Sequence, residues 1–246
     1  MIAISGTGCV LPTGHGVAAF WDAACKGNSG ISALKSTGFV SSKIASFGHI
    51  DAEIASKCWQ ELPRNLQRYS TPEVSWGLSA VRQAFAEAQI DPGDKNLRFG
   101  LYACQGGYTH PSIKTYADLL QDCNNVSVLD QQKLVQRILR DRALDPFLVI
   151  KSLTNGLLGI ISLTLKLEAE CGAFMEGVSG NYAALQQACM ALSANRIDVA
   201  VVVGAGSELD VFGLAGLVQA GAISACNATR FLPFDCSAQG GIAGEG

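Results

Sequence analysis

Apolar positions along this chain recur with two periods. In STPEVSWGLSAVRQAFAEAQI, Val74, Leu78, Val81 and Phe85 fall three or four residues apart, which predicts an amphipathic helix. Thr71 stands at its N-cap and Pro72 in its first turn, where the missing N–H would have no helical partner anyway. Over residues 16–26, Val17, Phe20, Trp21 and Ala24 share one face of another predicted helix. Residues 152–167 form a mostly apolar one, and SGNYAALQQACMALSAN a further one directly after the short run CGAFMEG. Four runs read as strands: residues 2–10, RFGLYAC, CGAFMEG and IDVAVVVGAG. The last is apolar on both faces, the pattern of a strand central in a parallel sheet. Residues 29–62 are mixed, with Ser and Gly clusters, and read as loop-rich. Residues 105–145 are polar and read as helices outside the main sheet; VSVLDQQKLVQRILRDR among them reads as amphipathic. Strands alternating with helices give βαβ units. The fold class is therefore α/β, a mostly parallel mixed sheet flanked by helices. No repeat or low-complexity linker divides the chain, so residues 1–246 read as a single domain.

Composition sharpens this picture. The chain has 246 residues, 48% hydrophobic and 16% charged, so it can bury a sizeable core and still leave an apolar surface for another chain to cover. A net charge of −3 gives no reason to expect nucleic acid. Nine Cys at irregular spacing, with no C-x-x-C pair, make no disulfide framework and fit a reducing cytoplasm. His15, His49 and His110 have no carboxylate or Cys at ligand spacing, so no metal site and no cofactor are expected. The opening MIAISGTGCVLPTG lacks a basic region and is broken by Gly and Pro, a strand and turn rather than a signal peptide. The apolar stretch over residues 147–167 contains Lys151, Asn155 and Lys166, and reads as a buried helix rather than a membrane span.

Three motifs invite chemistry. GTGCVL and GAGSEL begin G-x-G but lack the third Gly of a dinucleotide fingerprint, and no Walker A sequence is present. GVSGN approaches the G-x-S-x-G nucleophile elbow, but Asn181 replaces the last Gly and no His follows Ser179. An N-cap role for Ser179 is the simpler reading, with an acyl hydrolase as its alternative.

Taken together, further segments resemble a known family. ISGTGCVLPTGHGVAAFWDAACKGNSGI is similar to the first strand, turn and F-W helix of the β-ketoacyl synthases, members of the thiolase-like superfamily. DPFLVIKSLTN resembles the family's PFFVPxxxxN segment, RIDVAVVVGAGSE its ADVMVAGGAE, and FLPFDCSAQGGIAGEG its RPFDxxRDGFVxGEG. The order and spacing match the family's N-terminal half over nearly the whole chain. The resemblance implies a thiolase-like half-fold.

In that register the family's nucleophilic Cys falls on Gly177, and the Thr-Ala before it become Met175 and Glu176. Ala238 and Gln239 replace an Arg-Asp pair. The family's two His residues lie in its C-terminal half, which this sequence does not contain. The resemblance thus implies a Cys-less, non-catalytic subunit of the chain-length-factor type, as in an aryl-polyene-type pathway. Its expected partner is a full-length β-ketoacyl synthase with an intact Cys-His-His set, in a heterodimer or heterotetramer, with an acyl carrier protein acting indirectly. The resemblance further places Phe174, Met175 and Glu176 at the subunit interface, and Phe147, Leu148 and Ile150 at the acyl tunnel, with ordinary core packing as the alternative for the latter three. Lys133, Arg137 and Arg140 offer charge to an acidic carrier protein, or else a solvated face. A fragment of a longer inactive synthase and a stand-alone acyl- or carrier-binding module remain the alternatives.

Overall fold

A computed structural model describes residues 1–33, 46–106, 113–125, 128–175, 177–223, 235–236 and 240–246. In chain order the elements are β1 (Val10–Leu11), β2 (Gly14–His15), α1 (Val17–Cys25), β3 (Ile31–Ala33), β4 (Ser46–Gly48), α2 (Ala52–Glu61), α3 (Arg64–Gln67), α4 (Pro72–Ala88) and β5 (Phe99–Gly106). They continue as α5 (Ile113–Asp122), β6 (Asn124–Asn125), β7 (Val128–Leu129), α6 (Gln131–Leu139), α7 (Leu148–Lys151), α8 (Gly156–Leu165), β8 (Ala169–Phe174), α9 (Gly180–Ser193), β9 (Val199–Gly206) and α10 (Val211–Gln219).

The main sheet has the order β8-β5-β9, all parallel, with Phe99 opposite both Ala169 and Val199. Alternation along β5 sorts the core into two layers. Phe99, Leu101 and Ala103 pack with Val74, Leu78, Val81 and Phe85 of α4 and with Leu157, Ile160 and Ile161 of α8. Tyr102 points the other way, into Ala184, Ala188 and Ala191 of α9. That small-residue stripe lets α9 lie close to the sheet, which is thus covered by helices on both faces. The stripe expected on α4 is the one observed.

Several expectations are corrected. Among the described residues β5, not β9, is the central strand; β9 pairs along its length with β5 alone, and Val202 is exposed. Being apolar on both faces does not say how many neighbours a strand has. Residues 2–9 form no strand. They cross α4 instead, with Gly6 and Gly8 so close that a Cβ at either would lie 2.1 or 2.0 Å from the carbonyl oxygens of Ala84 and Ala80. The GTG of the opening is therefore a backbone-to-helix contact, fastened where Thr7 N and Oγ1 both donate to Glu87 (2.6 and 2.7 Å). Residues 29–62 contain a helix that the mixed pattern hid: Asp51 caps α2 by accepting from Glu53 N at 2.8 Å, and α2 buries only Cys58. On α1, Val17, Phe20 and Trp21 are exposed, and Ala23 is the buried residue. Thr71 and Ser179 occupy N-cap positions without making a side-chain cap bond.

At the start of the sheet Arg98 grips Asp198. Its Nε and Nη2 donate at 2.9 and 2.7 Å, its backbone N–H donates to Oδ2 at 2.9 Å, and Asp198 N returns a bond to Arg98 O at 2.8 Å. The Arg98 side chain, then its backbone N–H, holds the Asp198 carboxyl down at about 2. A depressed carboxyl contributes stability above its unfolded value of about 3.9, and that contribution is lost as pH falls toward the folded one. The expected result is that Asp198→Asn lowers the melting temperature at neutral pH. The gap to the parent should close as the pH drops from about 4 to about 2. Thermal melts of both proteins across that range check it. The pair is solvent-exposed, so the gap is small.

Candidate functional site

Open parallel sheets bind ligands beyond the carboxyl ends of their strands. Here those ends are Gly106, Phe174 and Gly206. Gln105, buried in the last turn of β5, accepts from Leu157 N at 2.8 Å and so fixes the start of α8. After β8 the chain passes through Met175, which is 57% exposed, into a 3-10 turn over Gly177–Ser179 and then α9. Gly177 has φ +55°, and among the described residues nothing lies within 4 Å of the place a Cβ would take. A tight left-handed strand-to-helix turn with empty space above it is a nucleophile's seat in shape. Asn181, on the first turn of α9, lies over Gly204 of β9; a Cβ there would meet Asn181 Oδ1 at 2.2 Å.

Carboxylates line the neighbouring end of β9. Glu245 accepts from Ile50 N at 2.8 Å and from Ser207 Oγ at 3.1 Å, and stands 2.6 Å from His49 Nδ1. Burial pushes the Glu208 carboxyl up, and Asp210 adds repulsion. Burial also raises Glu73, with Glu245 and Asp210 contributing like charge. Beyond Gly206, Gly246 exchanges two backbone bonds with it, at 2.9 and 3.1 Å.

The chain belongs to the β-ketoacyl synthase family. The family's domain described as "Beta-ketoacyl synthase, N-terminal domain" matches residues 1–246. Against a mitochondrial 3-oxoacyl-[acyl-carrier-protein] synthase of Arabidopsis thaliana the chain is 23% identical, covering 100% of itself and 54% of that protein. Among solved structures, a β-ketoacyl synthase from Burkholderia phymatum superposes with a TM-score of 0.71 at 18% identity, over 98% of this chain and 56% of the other. The ishigamide ketosynthase/chain length factor gives 0.69 at 18% identity, over 99% and 55%. The chain thus spans about half the length of these relatives. The α/β sheet described above is the thiolase-like ketosynthase fold.

The expected site residues of this family member separate into groups. Phe174 packs against the layer of Tyr102 and α9, whereas Met175 is open to solvent at the outer edge of the sheet. Glu176 lies outside the described residues, as do residues 126–127, His110, Ala238 and Gln239. Phe147 caps α7 and sets its ring edge-on to Tyr69 (4.9 Å, 79°), with the Arg68 guanidinium over both rings. Leu148 is partly buried, and Ile150 is exposed beside exposed Val149. The expected amphipathic helix is shorter than its sequence pattern: Val128 and Leu129 pair with Asn125 and Asn124 in a hairpin, and α6 starts only after Asp130, which caps it by accepting from Lys133 N at 2.9 Å. α6 buries no residue; Val135 and Leu139 are exposed. Its Arg137 is bound by Asp122 (2.9 Å) and Asp141 (3.1 Å), and Lys133 Nζ donates to Asp122 O.

One cluster escaped sequence reasoning. β2 and α2 bring His15 beside Cys58 and Glu61, with their potential ligand atoms within 4.8 Å of one another. The spacing of Cys58 and Glu61, one helical turn apart, was the available signal; His15, far earlier in the chain, had none.

Proposed function

We propose that the chain is a non-catalytic, chain-length-factor-like subunit. It pairs with a β-ketoacyl synthase that carries an intact Cys-His-His set, and it helps shape that enzyme's acyl tunnel. The observation that carries this reading is Gly177. A condensing enzyme must hold its acyl group on a nucleophile, and a thiolate at a helix N-terminus is favoured by the dipole and the free N–H groups. Here the turn, the left-handed φ and the open space are present, and the side chain is a hydrogen atom. The Ser179 hydrolase reading lacks support among the described residues: His15 is engaged by Ser79 and Gln83, and His49 by Glu245.

The outer edge of β8 supports the pairing. β8 bonds to β5 on one side and, among the described residues, to no strand on the other. In the family this strand meets its counterpart antiparallel. Above α9's buried stripe, Tyr182, Leu185 and Met190 are exposed, apolar surface that suits a second α/β unit. That the chain spans about half of its relatives favours a second reading, a segment of a longer inactive synthase.

The test is reconstitution. The chain is co-expressed with a Cys-His-His synthase and the products are measured by mass spectrometry; a stable complex whose product length depends on this chain is expected, and products identical with and without it would contradict the proposal. Within that complex, Ile150 faces outward and is the better tunnel wall, while Phe147 is anchored on Tyr69. Each further buried methylene gains about 0.8 kcal/mol until a side chain blocks it. Ile150→Ala is expected to shift the distribution to longer products, and Phe147→Ala to shift it less. An unchanged distribution for both variants in an intact complex would move the gate to the partner.

A further inference from the structure

We propose that His15, Cys58 and Glu61 form a binding site for a zinc-type divalent cation between β2, α2 and α4, away from the strand-end site. The inference rests on the placement of three donors, whose ligand atoms lie within 4.8 Å of one another. Gln83 Oε1 accepts from Cys9 N at 3.1 Å, so the Gln83 amide must turn its NH₂ toward His15 Nε2, 3.2 Å away. In the tautomer that accepts from Gln83, that nitrogen presents a lone pair. Ser79 Oγ lies 2.9 Å from the same lone pair and 3.1 Å from Glu61 Oε1. A hydroxyl has one proton. If it goes to Glu61, two lone pairs face each other at His15; if it goes to His15, the Glu61 carboxylate faces an oxygen lone pair. In that tautomer one short contact lacks a proton between its atoms, and the buried Cys58 thiol lies within 4.8 Å of the same atoms.

The donors around that gap are an imidazole nitrogen, a thiol and a carboxylate, the set that suits Zn²⁺. A doubly charged ion would be neutralised by the Cys58 thiolate and the Glu61 carboxylate, the thiol giving up its proton to solvent on binding. Arg82 Nη1 approaches Glu61 Oε2 at 3.4 Å and donates to Glu61 O at 3.1 Å, which holds that carboxylate by one oxygen and leaves Oε1 turned to the cluster. Cys58 is fully buried, whereas His15 and Glu61 are partly exposed and give the ion its way in. To coordinate, the ion replaces the Gln83 amide and the Ser79 hydroxyl on the His15 lone pair.

The test uses the chain stripped with a chelator and titrated with Co²⁺, then with Zn²⁺. Expected are one cobalt per chain, tetrahedral d–d absorption, a thiolate-to-cobalt charge-transfer band, and displacement by equimolar zinc. Cys58→Ser should abolish the charge-transfer band, while Cys171→Ser, an exposed thiol elsewhere, should leave it. His15→Ala and Glu61→Gln change partly exposed side chains, so they serve even if Cys58→Ser does not fold. Each should weaken cobalt binding by at least about tenfold, since even outer-shell losses cost that much. A charge-transfer band that survives in Cys58→Ser would overturn the proposal. So would an absence of stoichiometric cobalt binding to the parent chain.

Discussion

If the chain pairs with a synthase as proposed, Met175→Asp is expected to dissociate that complex while leaving the chain folded. Met175 is exposed in the chain by itself, so a carboxylate there meets water and costs the fold little. At the open edge of β8 the same carboxylate would be buried against the partner's strand without a cation, and burying an unpaired charge is strongly unfavourable. A central interface position of this kind is expected to lose about 2–4 kcal/mol of binding, roughly 30- to 1,000-fold in Kd. Phe174→Asp is a poorer probe, because Phe174 also packs in the layer of Tyr102 and α9. Gel filtration of the co-expressed pair, with a circular dichroism melt of the isolated variant, separates the two effects. An unchanged Kd for Met175→Asp would place the interface elsewhere on the molecule.

Leu157→Ala is expected to be the most damaging of the core truncations tested by urea unfolding. Leu157 is fully buried where α8 meets α4 and β5, and its backbone N–H is held by Gln105. Removing its side chain deletes apolar contact and leaves a cavity that flanking helices fill only in part. The loss expected is about 3–4 kcal/mol, a large share of the stability of an ordinary domain. Leu163→Ala, on the exposed face of the same helix, should change stability by no more than about 0.5 kcal/mol. Equal losses at the two positions would mean that α8 packs by a different face.

The sequence was legible where one element decides its own pattern. The α4 stripe of Val74, Leu78, Val81 and Phe85 needs only a 3.6-residue period, and it is the stripe buried in the fold. The order of motifs revealed the family, and Gly177 could be placed in the strand-to-helix turn from register alone. What failed required knowledge of partners. Residues 2–10 are apolar enough for a strand, but a strand exists only against a neighbour, and the backbone of 2–9 lies instead on Ala80 and Ala84. β9 is apolar on both faces, yet among the described residues its strand pairing runs along β5 alone. α2 carries Ile54, Ala55, Cys58 and Trp59 at helical spacing, but only Cys58 is fully buried and the Ser and Gly clusters around it masked that short stripe. The cluster of His15, Cys58 and Glu61 arises only once β2 and α2 are brought together.

Intact-protein mass spectrometry after incubation with acyl thioesters asks most directly whether this chain is non-catalytic. The chain and its synthase partner are incubated together with an acyl-carrier substrate and their masses read separately. With Gly177 at the turn, the partner should gain the acyl mass and this chain should gain none, alone or in complex. A stable acyl adduct on this chain would contradict its assignment as a subunit without a nucleophile.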